Sequence, residues 1–251
     1  MRDPRDQFGP VAESYLTSAV HSNPTALQNL IELVHPNGGT VVDVATGAGH
    51  TAYAFTPYVD RVIATDITPD MLRVTRDAAR ERSLNNLAVL FAKAEAMPFA
   101  TGQIEGVTCR MGAHHFQDAR EFVSESSRML APKGWFLLVD NMGVEDEEAD
   151  NQLDLLERIR DPSHVRCYRR SWWRATTASF GLTVIQEEVN AKALDAEDWM
   201  ERMHVPAQDR DTLRKMLTTA TGAFAQYIRP ETREGRLWFH FDELTMLCRK
   251  S

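Results

Sequence analysis

The sequence has few of the features that mark disulfide-rich, metal-binding or membrane-spanning proteins. Its three cysteines, Cys109, Cys167 and Cys248, are widely spaced and form no C-x-x-C pair, so they suggest neither a disulfide framework nor a zinc site. No apolar run approaches the roughly 20 residues of a membrane-spanning helix. The first ten residues, MRDPRDQFGP, lack the apolar segment of a signal peptide. We therefore expect a cytoplasmic protein with no bound metal and no membrane span.

Positive charge is also scarce in this sequence. The 28 lysines and arginines are outnumbered by 36 acidic residues, which leaves a net charge of −8. A nucleic-acid surface is normally basic, so we expect no nucleic-acid partner. The hydrophobic fraction of 43% and the charged fraction of 25% are ordinary for a globular protein. We predict one domain that spans residues 1–251.

The stretch from Val41 to Ile67 predicts a strand–turn–helix–strand unit. Its two apolar runs, at residues 40–44 and 62–65, have the length and β-branched composition of buried parallel strands. A turn of small residues (45–49) and a segment of helical length (50–58) separate them. In such a unit the ligand binds at the turn that follows the first strand.

The residues of this turn indicate a nucleoside ligand. Gly47 and Gly49 can adopt dihedral angles that other residues reach only at a cost, and they let the backbone approach a ligand closely. Asp66 ends the second strand, where an acid commonly accepts hydrogen bonds from ribose hydroxyls. Gly47-x-Gly49-x-x-Ala52, with an acid about 20 residues later, also fits a dinucleotide site. An NAD-dependent oxidoreductase is therefore one candidate.

Asp43 favours a different cofactor. A carboxylate inside an apolar strand costs several kcal/mol unless it is paired or hydrogen-bonded, so it should have a role. The block DVATGAG at residues 43–49 resembles the first motif of class I S-adenosylmethionine (SAM)-dependent methyltransferases, in which an acid precedes the turn around the methionine part of the cofactor. Ala45 stands where that family usually has its first glycine. We favour SAM, and a non-enzymatic SAM-binding regulator stays open as a further alternative.

Later segments follow the order of motifs in that family. AEAMPF at residues 94–99 resembles the third motif, which reads the adenine, although Lys93 stands where the family often has an acid. The passage at 118–141 resembles the ubiquinone/menaquinone C-methyltransferase-like (type 11) branch. RDPSHVR at 160–166 resembles a subgroup of largely uncharacterised bacterial methyltransferases. The resemblance covers about residues 8 to 190.

The resemblance implies an α/β fold with a Rossmann-like, doubly wound mixed sheet of seven strands, the last strand antiparallel. It divides the chain into an N-terminal helical lid (1–36), a SAM-binding core (37–194), a helical insertion (195–229) broken once near Pro206, and the final strand (230–251). The insertion is expected either to close over the acceptor pocket or to form the face of a homodimer. The acidic run at 145–150 is expected to be a solvated helix start.

The resemblance and the predicted sheet edge also supply candidate site residues. The predicted cofactor contacts are Tyr15, His21, Asp43, Ala45, Thr46, Gly47, Gly49, Asp66, Ile67, Met71, Ala94, Glu95, Arg110 and Gly112. Tyr15, Trp172 and Trp173 are candidates to face the sulfonium cation. Tyr15 and His21 could equally pack on the first helix.

Three histidines are predicted to line the site of a small-molecule acceptor. His114 and His115 follow the fourth strand, and His164 lies in a polar loop beside the same sheet edge. Histidine titrates near neutrality, so any of the three could act as a base. Adjacent residues of an extended chain point to opposite sides, so His114 and His115 can share a substrate only if the strand has already ended.

Overall fold

The computed structural model describes residues 3–16 and 22–251 and contains one mixed β-sheet. Its strands are β1 (Thr40–Val44), β2 (Arg61–Asp66), β3 (Leu87–Phe91), β4 (Ile104–Arg110), β5 (Leu130–Asn141), β6 (Leu182–Asp195), β7 (Glu231–Arg233) and β8 (Arg236–Lys250). The sheet order is β3-β2-β1-β4-β5-β8-β6, and β8 is antiparallel to both of its main neighbours. The predicted fold is confirmed, with the antiparallel strand between the fifth and sixth.

One strand was not predicted. The segment 230–251 was assigned a single strand, but β7 and β8 form a hairpin at its start. Glu234 and Gly235 make the connecting turn with φ values of 50° and 79°. Two consecutive positive φ angles are typical of the tight turn that joins twisted antiparallel strands.

Helices cover both faces of the sheet. They are α1 (Pro4–Phe8), α2 (Ala12–Leu16), α3 (Pro24–Val34), α4 (His50–Phe55), α5 (Pro69–Glu81), α6 (Ala119–Met129), α7 (Glu147–Arg160), α8 (Arg170–Ser179), α9 (Ala196–Glu201), α10 (Ala207–Thr218) and α11 (Gly222–Ile228). Successive residues of β5 point to opposite faces, as a strand requires. Phe136 and Leu138 belong to one buried cluster, whereas Trp135 and Leu137 belong to another.

The N-terminal helices α1 and α2 pack beside the glycine-rich turn at residues 45–49. Ala12 of α2 is buried against Ala48, and Met71 and Val74 of α5 complete this small apolar cluster. Tyr15 packs on the same cluster, and its ring lies 5.8 Å from that of Phe8. These N-terminal helices thus lie next to the predicted ligand turn, where a lid is expected.

The insertion is built on an extension of the sheet. Strands β6 and β8 continue beyond the parallel part, and α9, α10 and α11 pack between this extension and α7. The apolar residues of this second core include Leu153 of α7, Trp199 of α9 and Leu213 of α10. The insertion is broken twice, near Pro206 and again between α10 and α11, rather than once as predicted.

Asp150 corrects the interpretation of the acidic run. Glu147 and Glu148 are exposed at the start of α7, but Asp150 is fully buried. Its carboxylate accepts hydrogen bonds from the guanidinium groups of Arg166 and Arg169, the latter at 3.0 Å, and from the amide of Val144 at 2.9 Å. These partners tie the start of α7 to the polar loop that follows it.

We expect Asp150→Ala to lower the free energy of unfolding by about 3 kcal/mol, because it removes the acid from a buried charge network. Glu148→Ala, two residues earlier on the same helix and exposed, is the matched control and should change stability by less than about 0.5 kcal/mol. Urea denaturation of both variants measures the difference. Equal effects would contradict a structural role for Asp150.

Candidate functional site

The carboxyl ends of the parallel strands open into one large cleft of about 1330 Å³. One side is formed by the turn after β1 and by the ends of β2 and β3. The other side is formed by the end of α7 and by α9 with the segment that follows it. Ligand pockets for one small molecule are usually about 300–1,000 Å³, so this cleft has room for two ligands side by side.

The turn after β1 has the backbone that its sequence predicts. Gly47 and Gly49 both have positive φ, 54° and 86°. A Cβ on Gly49 would come within 2.6 Å of the Tyr53 ring, so this position requires glycine. A Cβ on Gly47 would meet nothing within 4 Å, which leaves the turn open toward the cleft. Ala45 also has a positive φ of 54°, a backbone conformation that glycine adopts at a lower cost than alanine.

Asp66 lies at the floor of the cleft, at the end of β2. Its carboxylate accepts hydrogen bonds from the amides of Gly47 at 3.0 Å and Thr68 at 2.8 Å. Burial raises the pKa of Asp66, and these hydrogen bonds oppose the rise. The side chain thus links the ends of β1 and β2 and presents a carboxylate to the cleft.

Asp43 lies behind the turn and is 1% exposed. Its carboxylate accepts a hydrogen bond of 2.6 Å from the Thr46 hydroxyl. Burial raises the pKa of Asp43 to about 7, the Thr46 hydrogen bond opposes this rise, and the charge of Asp66 adds to it. Asp43 therefore takes up a proton much more readily than an exposed aspartate.

We expect this burial to make stability depend on pH. Asp43 stays protonated in the folded state up to about pH 7 but ionises above 3.8 once unfolded, so its contribution to stability is lost as pH rises through this window. From about pH 5 to about pH 8 the free energy of unfolding of the wild type should fall by about 2–3 kcal/mol more than that of Asp43→Asn. Urea unfolding of both proteins at the two pH values measures this. Parallel pH dependence would contradict the raised pKa.

The strand β4 has ended before the two adjacent histidines. Met111 has a positive φ of 57°, and residues Ala113–His115 form a 3-10 turn. As a result the rings of His114 and His115 lie 4.2 Å apart and both line the cleft. The condition under which both histidines could face one substrate is therefore met.

His114 is held by Asp140, the next-to-last residue of β5. Nδ1 of His114 lies 2.5 Å from Asp140 Oδ1, and the His114 amide donates to Oδ2 at 3.0 Å. Burial acts to lower the pKa of His114, but the charge and hydrogen bond of Asp140 outweigh it, so the pKa is raised. An ionised carboxylate can only accept, so Nδ1 carries the proton and Nε2 is the atom left for chemistry.

The other two histidines occupy different environments. His115 Nδ1 donates to the Ser163 carbonyl at 3.2 Å, and burial together with the charge of His114 lowers the pKa of His115 to about 3. His164 is 1% exposed, lies 3.4 Å from an Asp154 oxygen and does not line the cleft. The structure therefore does not support His164 as a base.

Most of the predicted cofactor contacts meet in the cleft. Its lining includes Tyr15, Ala45, Gly47, Asp66, Ile67, Met71, Ala94, Glu95 and Gly112. Asp43, Thr46, Gly49 and Arg110 are outside this lining. His21 lies outside the described residues. Their roles as cofactor contacts stay predictions.

The prediction that Trp172 and Trp173 face the sulfonium cation is wrong. Trp173 is 1% exposed in the core, and Trp172 stacks on Tyr168 at 4.0 Å. Neither residue lines the cleft. Both lie on α8, whose aromatic side chains pack against the sheet, so they are core residues rather than cation ligands.

Several residues of the cleft were missed. Phe91 is 54% exposed at the end of β3, and an aromatic residue at a strand end is a local signal that could have been used. Arg160 begins the RDPSHVR segment, is the last residue of α7 and had no predicted role. Lys192 and Arg202 reach the cleft only because the sheet extension and the insertion fold back over it, and no local pattern indicates this.

Two classes of feature are not found in the described part of the chain. Residues 3–16 and 22–251 contain no group of three histidine, cysteine or acidic side chains arranged to hold a metal ion. No helix in this part is long and apolar enough to cross a membrane. The three cysteines are buried and free, in line with the absence of a disulfide pattern.

Comparison with known proteins agrees with this architecture. Residues 42–138 match the family described as "Methyltransferase domain". The "Uncharacterized methyltransferase YcgJ" of Bacillus subtilis is 39% identical over 171 residues, which cover 68% of this chain and 67% of that protein. A Shewanella "Ubiquinone/menaquinone biosynthesis C-methyltransferase UbiE" is 26% identical over 73% of this chain and 66% of its own length.

Solved structures extend the similarity to nearly the whole chain. The crystal structure of a protein described as a "putative methyltransferase" from Bacillus halodurans superimposes on this chain with a TM-score of 0.85. The two sequences are 33% identical, and the match covers 90% of this chain and 99% of the crystallised chain. The YcgJ crystal structure also has a TM-score of 0.85, at 31% identity. This chain therefore belongs to the class I methyltransferases.

Proposed function

We propose that this protein transfers a methyl group from SAM to a small-molecule acceptor. One observation carries the proposal: a single cleft is lined both by the turn and acid of a nucleoside site, Gly47 and Asp66, and by His114, which the buried Asp140 holds through a hydrogen bond. The volume of the cleft allows cofactor and acceptor to lie side by side.

The charges around the turn favour SAM over NAD. A dinucleotide would place its pyrophosphate at this turn. Here the Gly47 amide already donates to Asp66, and the carboxylates of Asp66 and Asp43 lie close enough to raise the pKa of Asp43. The Asp66 carboxylate repels a pyrophosphate but attracts the positively charged methionine part of SAM, and Asp43 adds to this charge only above about pH 7. The open space at Gly47 lets a ligand approach the backbone.

When SAM is bound, it supplies a methyl group on a positively charged sulfur, and transfer is an in-line displacement. The protein's main task is to hold the acceptor in line, which can lower the barrier by about 7–11 kcal/mol. His114 Nε2 would accept the proton of an oxygen or nitrogen acceptor. Asp140 would keep the ring oriented and stabilise the imidazolium that forms.

Two parts of the chain would exclude water from the transfer site. Tyr15 of α2 and Trp199 of α9, which are far apart in the sequence, both line the cleft. Two roles were considered for the insertion, and the place of Trp199 in the cleft supports closure over the acceptor pocket. Homodimerisation stays an untested prediction.

Calorimetric titration of the purified protein with SAM, S-adenosylhomocysteine and NAD tests the cofactor. We expect micromolar binding of the first two and none of NAD. Binding of NAD alone would replace the proposal with an oxidoreductase. Supplying phenols, quinols and amines should then convert SAM to S-adenosylhomocysteine. SAM affinity without conversion under any acceptor would favour the non-enzymatic regulator.

A further inference from the structure

The acceptor half of the cleft contains basic side chains that the transfer step does not use. Arg160 ends α7, Lys192 lies in β6, and Arg202 follows α9 directly; all three line the cleft. We call these three residues the basic cluster. They come from three different elements, so only the folded protein brings them together.

The members of the basic cluster lie close enough to repel one another. Burial lowers the pKa of Arg202, and the charge of Arg160 lowers it further. Burial also lowers the pKa of Lys192, with Arg202 adding to the effect and Glu243 opposing it. Like charges in a partly desolvated cleft are unfavourable unless an anion lies between them.

Two acidic side chains in this half of the cleft pair with arginines outside the basic cluster, whereas Glu157 lies 3.9 Å from Arg160 and Glu243 lies 3.6 Å from Lys192. Asp198 pairs with Arg236 at 2.7 Å and Glu201 pairs with Arg210 at 2.5 Å. Arg202, in contrast, forms no ion pair within 4 Å among residues 3–16 and 22–251. Arg202 is therefore a cleft cation without a direct ion pair in the described part of the chain, although the charges of Asp198 and Asp195 act on it from a longer distance.

Arg160 is held in a fixed orientation beside it. Its guanidinium lies 4.7 Å from the centre of the Trp199 ring, and its Nε donates to the Trp199 carbonyl at 3.2 Å. Its nearest acid, Glu157, is 3.9 Å away, longer than a direct hydrogen bond. A stacked guanidinium keeps donors available and loses little entropy when it binds an anion.

We propose that the acceptor is a small acid whose carboxylate or phosphate binds between Arg160 and Arg202 while its methylated atom faces His114. This inference rests on the proposed function, because it assumes that the cofactor occupies the half of the cleft at Asp66. Guanidinium groups bind carboxylates and phosphates through paired, charge-assisted hydrogen bonds. The Trp199 side of the cleft would cover the apolar part of such an acid.

The test uses protein saturated with S-adenosylhomocysteine and titrated with benzoate, phenyl phosphate and the neutral analogue benzamide. We expect at least one of the two acids to bind about tenfold or more tightly than benzamide, which corresponds to one set of charge-assisted hydrogen bonds. Arg202→Gln should abolish this preference. The exposed Arg80→Gln on α5 is the matched control and should retain it.

The outcomes separate this inference from the proposed function. Equal binding of acids and amide, or no binding of any of them, would overturn the acidic acceptor. Loss of S-adenosylhomocysteine affinity in Arg202→Gln would overturn it as well, since the cluster would then serve the cofactor. If the wild type does not bind S-adenosylhomocysteine at all, the proposed function itself fails. Preference for phenyl phosphate over benzoate would assign a phosphate, and the reverse a carboxylate.

Discussion

Replacing His114 by alanine should lower kcat by about 10²–10⁴-fold, the usual contribution of a positioned general base, while leaving the affinity for S-adenosylhomocysteine nearly unchanged. The reason is geometric: Asp140 occupies Nδ1 at 2.5 Å, so Nε2 is the atom directed to the acceptor. Turnover is measured as S-adenosylhomocysteine formed from any acceptor that the wild type methylates, and affinity by calorimetry.

The pH profile gives a second readout for His114. The base must be neutral, and Asp140 raises the pKa of His114 above its ordinary 6.5. The wild-type kcat/KM should therefore fall as pH drops through this raised pKa, and Asp140→Asn should move the fall to lower pH. His35→Asn, an exposed position outside the cleft, should leave the profile intact. A parallel loss of cofactor affinity in His114→Ala would mean that this histidine is structural or contacts the cofactor.

Asp66→Ala should weaken SAM binding by about 1.5–3 kcal/mol, because it removes the charged acceptor of the ribose hydroxyls. The same change frees the Gly47 amide, which now donates to Asp66 at 3.0 Å, so the turn also loses part of its order. Titration of SAM into the variant, with circular dichroism to verify folding, measures the effect.

Asp60→Ala is a matched control for Asp66→Ala. Asp60 also accepts a hydrogen bond from a glycine amide, that of Gly39 at 2.7 Å, but it lies outside the cleft. Its removal should leave SAM affinity unchanged. Wild-type affinity in Asp66→Ala would refute the ribose assignment, and equal losses in both variants would indicate a general effect on the sheet.

The ligand turn could be predicted because its signals are local. Gly47 and Gly49 have the positive φ angles that their lack of a side chain allows, and Asp66 ends a strand whose apolar pattern is continuous. His114 follows the end of β4 and Asp140 is the next-to-last residue of β5, and parallel strands bring such ends to the same edge. Their direct hydrogen bond, however, depends on the 3-10 turn after Met111.

The errors arose where distant segments determine the environment of a residue. Asp150 stands in an acidic run typical of a solvated helix start, but Arg166 and Arg169 fold back onto it and bury it. Trp172 and Trp173 could equally have faced a ligand or the core, and the packing of α8 on the sheet places Trp173 in the core.

The strand segments, the ligand turn and the acid at its edge are set by short-range patterns of apolar, small and charged residues, so they can be recognised along the chain. The arrangement of the strands in the sheet was expected only from the resemblance to class I methyltransferases. The acceptor half of the cleft is assembled from α7, the extended β6 and the insertion, whose contacts span more than 30 residues of sequence. Side chains such as Arg160 and Arg202 become neighbours only through this long-range packing. The cofactor half is therefore determined locally, whereas the acceptor half is decided by the tertiary structure.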